Sequence, residues 1–345
     1  MTNMNKPVAG RAAASERVTL KTIADATGLS LSTVSLSLRG GTTLKADTRD
    51  KVLQAAQSLG YVPDRAGVRL RTGKTNVIVL VLDATEDSID FARQMIQGIG
   101  HAMQGSRYHL TVAPEFEPVQ SVDTVRYIAG NRTADGVIIT HTTLRDPRVQ
   151  LMMEMDYPFV THGRTEFFTP HPYHDFRSEA FAVNAVERLV SQGCHRLSLV
   201  IGMDRLTNYH MIVSAFEQTV ARTGVQGRVI EGSVAQGRPA ALRQLGIDMA
   251  QMPDRPDGLI VDSELRTIAL IGGFLEGGLV LGRDIRIIYK QTTDVLPTLF
   301  PQLDSIKEDV FAAGVELTRL LLRRIEGDAA ATLQTLSEPE PIWRA

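Results

Sequence analysis

The chain has one cysteine, Cys194, in 345 residues, and a lone thiol cannot close an intrachain bridge. A disulfide scaffold is thereby excluded. The thiol's neighbours in GCHRLSLVIG are largely apolar, which fits a core position in a reducing cytoplasm better than a nucleophile. Long hydrophobic runs are missing too. The best are Val77 to Leu82 and the glycine-rich Ile268 to Leu281, the second broken by Glu276, whereas a spanning helix needs about 20 apolar residues. The opening MTNMNKPVAGRAAASER has no apolar stretch of the kind a signal peptide carries, so a cytoplasmic location is expected. Catalytic signatures are equally scarce: HExxH, GxSxG and GxxxxGKS/T are absent, and His141, His162, His171, His174 and His195 are scattered. Neither an enzyme nor a cofactor is expected, and the run HPYHD (171–175) lacks the supporting shell of a metal site. With 43% apolar residues, disorder is not the organising principle either.

Net charge is low only in the total. It is −2, yet through Asn76 twelve Lys and Arg face five Asp and Glu, a net of +7, which leaves −9 on the remainder. A small basic module joined to a larger acidic body is the footprint of a nucleic-acid reader that carries a separate domain for something else.

The basic module reads as helices. Thr19 caps a first helix with Leu20, Ile23 and Ala24 on one face, and Gly28 breaks it. Ser30 caps a second, from Leu31 to about Leu38, so Thr27-Gly28-Leu29-Ser30 is the turn of a helix-turn-helix. A third helix with Val52, Ala55, Ala56 and Leu59 closes a three-helix core and stops at Gly60. The segment 61–75, with Pro63 and Gly73, reads as a connector of about two turns.

From Val77 short, continuously apolar strands alternate with helices: 77–82, 108–113, 136–140, 158–162, 196–202, 227–232, 258–262 and 285–289. Strands apolar throughout require a mostly parallel sheet covered on both faces. Nearly 270 residues in this rhythm exceed one sheet and predict two doubly wound subdomains with a ligand cleft between them.

The run TLKTIADATGLSLSTVSLSLRG (19–40) and ADTRDKVLQAAQSLGYVPDRAGVRLRTGKT (46–75) resemble the DNA-binding headpiece and hinge of the lactose-repressor/galactose-repressor family. VNAVERLVSQGCHRLSLVIG, DGLIVDSEL, DIRIIYKQTTD and DSIKEDVFAAGVELTRLLLRRIEG are similar to that family's effector domain, so the resemblance runs from about Val18 to the end. It implies an α/β chain: a three-helix headpiece, then a bilobed, periplasmic-binding-protein-like effector domain. The boundaries expected are a disordered arm at 1–17, the headpiece at 18–62, a hinge helix and linker at 63–75, and the effector and dimerisation domain at 76–345. Its first lobe is expected at about 76–173 and 291–305, its second at about 174–290 and 306–345.

For DNA, the resemblance implies contacts from Thr19, Leu20, Ser30, Leu31, Ser32, Thr33, Ser35, Leu36, Arg39, Thr48, Arg65, Arg69 and Leu70. Physically, a helix starting at Ser30 presents Leu31, Ser32 and Ser35 on its leading face while Val34 and Leu38 turn inward, and its N-terminus favours phosphate. The same serines could simply cap and solvate a surface helix. Leu36 stands where most of the family has Arg, which removes one bidentate reading of guanine. Leu70 matches the family's minor-groove wedge, or else packs on the next domain, and Gly67 replaces a usual Ala at a helicity cost of up to ~1 kcal/mol.

Strand ends of doubly wound sheets bind ligands, which makes Asp83, Phe91, His141, Arg164, Asp175, Tyr209, Asp262, Glu264, Lys290 and Gln291 the effector candidates. Acids, amides and an aromatic face suit a sugar or glycoside. Departures from the family pattern occur here: Ile212 stands for a ligand-clamping Arg, Ser263-Glu264 for Asn-Asp, and Gln291 for an acid. The expected function is a transcription regulator, a repressor, that binds a pseudo-palindromic operator as a homodimer and responds to a small carbohydrate. The alternatives are a sugar-binding transport protein or a regulator of a non-sugar metabolite. The end of the sequence shows no heptads, so a tail-driven tetramer is not expected.

Overall fold

The computed structural model describes residues 18–38, 44–61, 69, 72–83, 89–115, 122–202, 204–230 and 238–344. The chain divides into two compact units, Met1–Thr75 and Asn76–Ala345.

The first unit contains α1 (Leu20–Thr27), α2 (Leu31–Ser37) and α3 (Ala46–Ser58). Thr19 and Thr22 cap α1 reciprocally, and Gly28, at φ 69°, ends it by donating to Ala24 O. That left-handed residue makes the sharp turn into α2, whose first turn is closed by the Thr33 N–H donating to Ser30 Oγ. Ile23, Ala24, Val34, Val52 and Ala56, one or two from each helix, form the buried core expected from their spacing. Of the expected DNA contacts, Arg39, Arg65 and Leu70 lie outside the described residues.

The second unit is built on two six-stranded sheets. β1 (Val77–Asp83), β2 (His109–Glu115), β3 (Gly136–Ile139), β4 (Phe159–His162), β5 (Tyr173–Phe176) and β11 (Gln334–Ser337) form one, in the order β11-β5-β4-β3-β1-β2, all parallel. β6 (Arg196–Val200), β7 (Gln226–Ile230), β8 (Gly258–Val261), β9 (Arg286–Gln291), β10 (Asp304–Lys307) and β12 (Glu340–Ile342) form the other, in the order β12-β10-β9-β8-β6-β7, with only β12 antiparallel. Helices cover both faces at the central strands, which is why β1, β3 and β8 read as unbroken apolar runs, whereas the edge strands β2, β7, β11 and β12 stay partly exposed. On the first sheet α4 (Ile89–Ala102) and α12 (Val310–Glu326) cover one face, and α5 (Val122–Asn131) and α6 (Pro147–Glu154) the other. On the second, α7 (Ser178–Ser191) and α8 (Thr207–Thr223) oppose α9 (Pro239–Gln251) and α10 (Glu264–Glu276). The short α11 (Val295–Leu299) precedes β10.

The lobe boundaries differ from the sequence expectation. Residues 291–305 belong to the second lobe, where Leu296 and Leu303 pack with Val261 and Tyr289. Most of 306–345 returns to the first lobe, because the apolar stripe Val310, Ala313, Leu317, Leu320 and Leu321 of α12 packs beneath β1 and β3. Residues 174–176 also stay in the first lobe as β5. The chain therefore crosses between lobes after β5, after β10 and after β11.

Candidate functional site

On the headpiece, α2 turns Val34 and Ser37 inward and leaves Leu31, 52% exposed, and Ser32 outward at its N-terminal end. Ser30 Oγ lies 2.8 Å from both Ser32 Oγ and Thr33 Oγ1, so these three of the hydroxyls expected at DNA form one capping cluster. Capping and DNA contact are compatible roles: the cluster rigidifies the turn while unpaired N–H groups at the helix start still point outward. Thr19 is exposed, Leu20, Ser35, Leu36 and Thr48 are half-buried, and Arg69 is exposed.

In the larger unit the C-terminal strand ends of the two lobes are joined by named pairs. Glu308, in the crossover after β10, receives the Lys290 ammonium of the second lobe at 2.8 Å and lies 3.6 Å from His162 Nε2 of the first. Burial disfavours charge on both members, but their attraction wins: Lys290 is pushed up and Glu308 down from their ordinary pKa values. Gln94 donates to Thr292 O, and the Thr207 N–H donates to Thr142 O at 2.9 Å, each across the lobes.

Phe91, at the start of α4, is met edge-on by His141 and His162, each with ring centroids 5.2 Å away. Burial pulls the pKa of His141 down to about 4 and that of His162 to about 3, so both imidazoles are neutral at pH 7. His141 has φ 54°, a left-handed backbone that its surroundings must hold. The fully buried Arg148 does so: it donates to the Thr140 and His141 carbonyls at 3.1 and 3.0 Å while paired with Asp146 and Glu115 at 2.7 and 2.5 Å.

Arg164 donates from Nε to Asp175 Oδ2 at 2.6 Å and from NH2 to Glu179 at 3.0 Å, so it spans β5 and the start of α7. Burial pushes the Asp175 carboxyl up to about 6, with Arg164 pulling the other way. Asp262 accepts from Arg266 at 2.9 Å, at the end of β8. These charges pair with one another across the strand ends and present hydrogen-bonding edges without a surplus cation, an arrangement suited to a neutral polyhydroxylated ligand.

Other expected effector residues are committed inside the fold. Glu264 accepts from the N–H groups of Thr292 and Thr293 and from Thr293 Oγ1, fastening that loop to α10. Gln291 is buried and accepts from Ser305 Oγ at 2.7 Å. Tyr209 and Ile212 lie in the core with Phe181 and Leu199, so position 212 faces away from the strand ends; its neighbour Met211 is the one that reaches Arg164. Asp83 closes β1, and its side chain lies outside the described residues. His162, Glu308 and Arg148 were not among the sequence candidates.

Of the HPYHD run, Tyr173, His174 and Asp175 lie in β5; His171 bonds Thr165 Oγ1 at 2.8 Å, and His174 bonds Thr335 Oγ1 at 2.9 Å. Among the described residues no group of three or more His, Cys, Asp or Glu is placed to hold a metal ion. Cys194 is buried, and burial together with Asp257 pushes its thiol up to about 11, which leaves it unreactive at neutral pH. Among the described residues no helix is long and apolar enough to cross a membrane.

A helix-turn-helix unit and two doubly wound lobes in one chain define a class, and comparison with known proteins shows what each part resembles. Residues 19–64 match the model "Bacterial regulatory proteins, lacI family", and residues 186–345 match "Periplasmic binding protein-like domain". The chain is 28% identical to the HTH-type transcriptional regulator AglR of Rhizobium meliloti (strain 1021), over 95% of this chain and 94% of that protein. It is 25% identical to the HTH-type transcriptional regulator CelR of Thermobifida fusca, over 95% and 98%. Among solved structures, the lac repressor dimer bound to operator and the anti-inducer ONPF shares the fold with a TM-score of 0.80 at 20% identity, over 95% of this chain and 98% of that one. The chain thus carries a region matching the lacI-family regulatory model, followed by a periplasmic-binding-protein-like domain, and is similar over nearly its whole length to HTH-type transcriptional regulators.

Proposed function

We propose that this chain is a sequence-specific transcription regulator, a repressor, that binds a pseudo-palindromic operator as a homodimer in the cytoplasm and is tuned by a small carbohydrate held between its effector lobes. Its work is binding rather than catalysis. The observation that carries the reading is the capped, outward-facing start of α2 in a module of net charge +7. A helix N-terminus of that kind enters the major groove, and two-fold symmetry doubles its few phosphate contacts. In this reading Thr19, Leu20, Ser30, Leu31, Ser32, Thr33, Ser35, Leu36, Arg39, Thr48, Arg65, Arg69 and Leu70 face DNA. Phe91, His141, Arg164, Asp175 and Asp262 face the effector, with His162, Lys290 and Glu308 beneath them. The carbohydrate is supported by the pairing of every cation named at the strand ends with a carboxylate, and by the shared fold of the transcriptional regulator CelR–cellobiose complex, with a TM-score of 0.68.

The test is operator selection from random DNA with the full chain, followed by retardation over a salt series. Affinity should fall linearly in log salt as Lys and Arg displace counterions. A fragment starting at Asn76 that still retarded the selected DNA would remove the headpiece from the function.

A further inference from the structure

A cavity of about 460 Å³ opens at the outer edge of the second lobe, lined in part by the β6–β7 pair. Parallel register sets Arg196 beside Gln226, Ser198 beside Arg228 and Val200 beside Ile230. Leu197 and Leu199 belong to the core beneath α7 and α8, so by the two-residue period Ser198 points to the opposite, α9 side. From that side come Leu245 and Met249, with Met252, Asp254 and Pro256 from the turn that follows α9.

The face is wrong for plain core. A doubly wound lobe buries apolar side chains against its helices, yet half of this one is polar. Ser198 is only 5% exposed, and its hydroxyl makes no hydrogen bond with any described residue. Its register partner Arg228 makes no ion pair or hydrogen bond with a described residue either. A hydroxyl that opens on the cavity and a neighbouring exposed guanidinium, neither bonded to a described residue and both lining one cavity, are free to bond an oxyanion together.

We propose that this cavity is a second ligand site, separate from the effector site between the lobes, and that it takes a small organic carboxylate. The carboxylate accepts two N–H bonds from the planar fork of Arg228 and one O–H bond from Ser198, while the apolar body of the ligand rests on Leu245, Met249 and Met252. One fork matches one carboxylate, and Asp254 on the rim disfavours a dianion such as a phosphate monoester. The volume suits a metabolite rather than a peptide.

The full chain with methyl-labelled methionine can be titrated by NMR with phenylacetate, with phenylacetamide as its uncharged twin, and with inorganic phosphate. Phenylacetate is expected to move the Met249 and Met252 methyl signals saturably, with the amide roughly tenfold weaker or worse and phosphate without effect. Arg228 is exposed, so Arg228→Gln should fold normally and weaken phenylacetate by roughly tenfold or more. Ser198→Ala should weaken it less, and Met249→Trp should fill the cavity and abolish the response. The proposal is overturned if phenylacetate gives no saturable shift at these methyls, if the amide binds equally well, if phosphate binds more tightly, or if Arg228→Gln leaves the affinity unchanged.

Discussion

Lys290 Nζ and Glu308 Oε2 stand 2.8 Å apart where β9 and the crossover after β10 meet, and the other oxygen of Glu308 faces His162 from the opposite lobe. One carboxylate thus ties together the hinge side of both lobes. Because both charges are largely removed from water, the pair is costly to break from one side only.

Lys290→Met should therefore destabilise the effector unit by about 3 to 5 kcal/mol, since it strands a buried carboxylate. Lys290→Met combined with Glu308→Leu should recover much of that loss. Urea denaturation of the two single variants and the double variant closes the cycle; additive losses would mean that the pair does not couple.

The neutral histidines predict a pH dependence. His162 titrates at about 3 in the fold against 6.5 in an unfolded chain, so the unfolded state takes up its proton first as pH falls. The stability this residue contributes is full above about pH 6.5 and is lost progressively below it, by about 2 kcal/mol at pH 5. His141, His171 and His174 are shifted in the same direction. Asp175 has the opposite sign: raised from 3.8 to about 6, its contribution is full below 3.8 and is lost as pH rises through 6. Four histidines against one acid leave a net loss on acidification. Melting temperatures between pH 7.5 and 5 should fall for the parent protein, and less steeply for His162→Gln.

What the sequence made legible follows from periodicity. Strands such as Val77 to Leu82 and helices such as Glu264–Glu276 carry a run or a stripe long enough to read alone. Tyr173–Phe176 does not: His174 and Asp175 are polar, and they are buried only because β4 and β11 flank them, a fact of tertiary packing. Missing that strand, and Asp304–Lys307 after it, displaced the lobe boundaries. The position of a candidate at a strand end was legible where it followed or closed a visible strand, as at His141, Arg164 and Lys290. Glu308 was hidden because it sits in a crossover, and Arg148 because its role is to hold the backbone of another residue. Glu264 sat at a strand end as expected, but only the fold shows that its oxygens fasten the 292–293 loop.

Two glycines should respond oppositely to the same change. A Cβ on Gly314 would stand 2.7 Å from Met95 O and 3.0 Å from Ile99 N, backbone atoms of α4 that cannot swing aside. Gly314→Ala should cost about 1 to 3 kcal/mol or more by wedging α4 and α12 apart. Gly100, also in α4, has nothing within 4 Å, so Gly100→Ala should stabilise by up to ~1 kcal/mol through helix propensity. Equal effects in denaturation would mean that the α4–α12 approach is looser than its geometry implies.

Arg164 bonds Asp175 from the first lobe and Glu179 from the start of the second, so its position depends on how the lobes are set. If a carbohydrate bound there shifts that setting, ligand and operator must change each other's affinity by the same factor, typically about five- to 150-fold. Arg164→Ala and Asp175→Asn should remove that mutual effect while leaving ligand-free operator binding at the parent value, because neither residue belongs to the basic headpiece unit. Operator titrations with and without ligand, for parent and variants, measure both quantities in one experiment. Variants that still released or gained DNA with ligand as the parent does would place the effector elsewhere than at these strand ends. Variants that lost DNA binding without ligand would instead show that Arg164 and Asp175 maintain the effector unit's shape rather than sense its ligand.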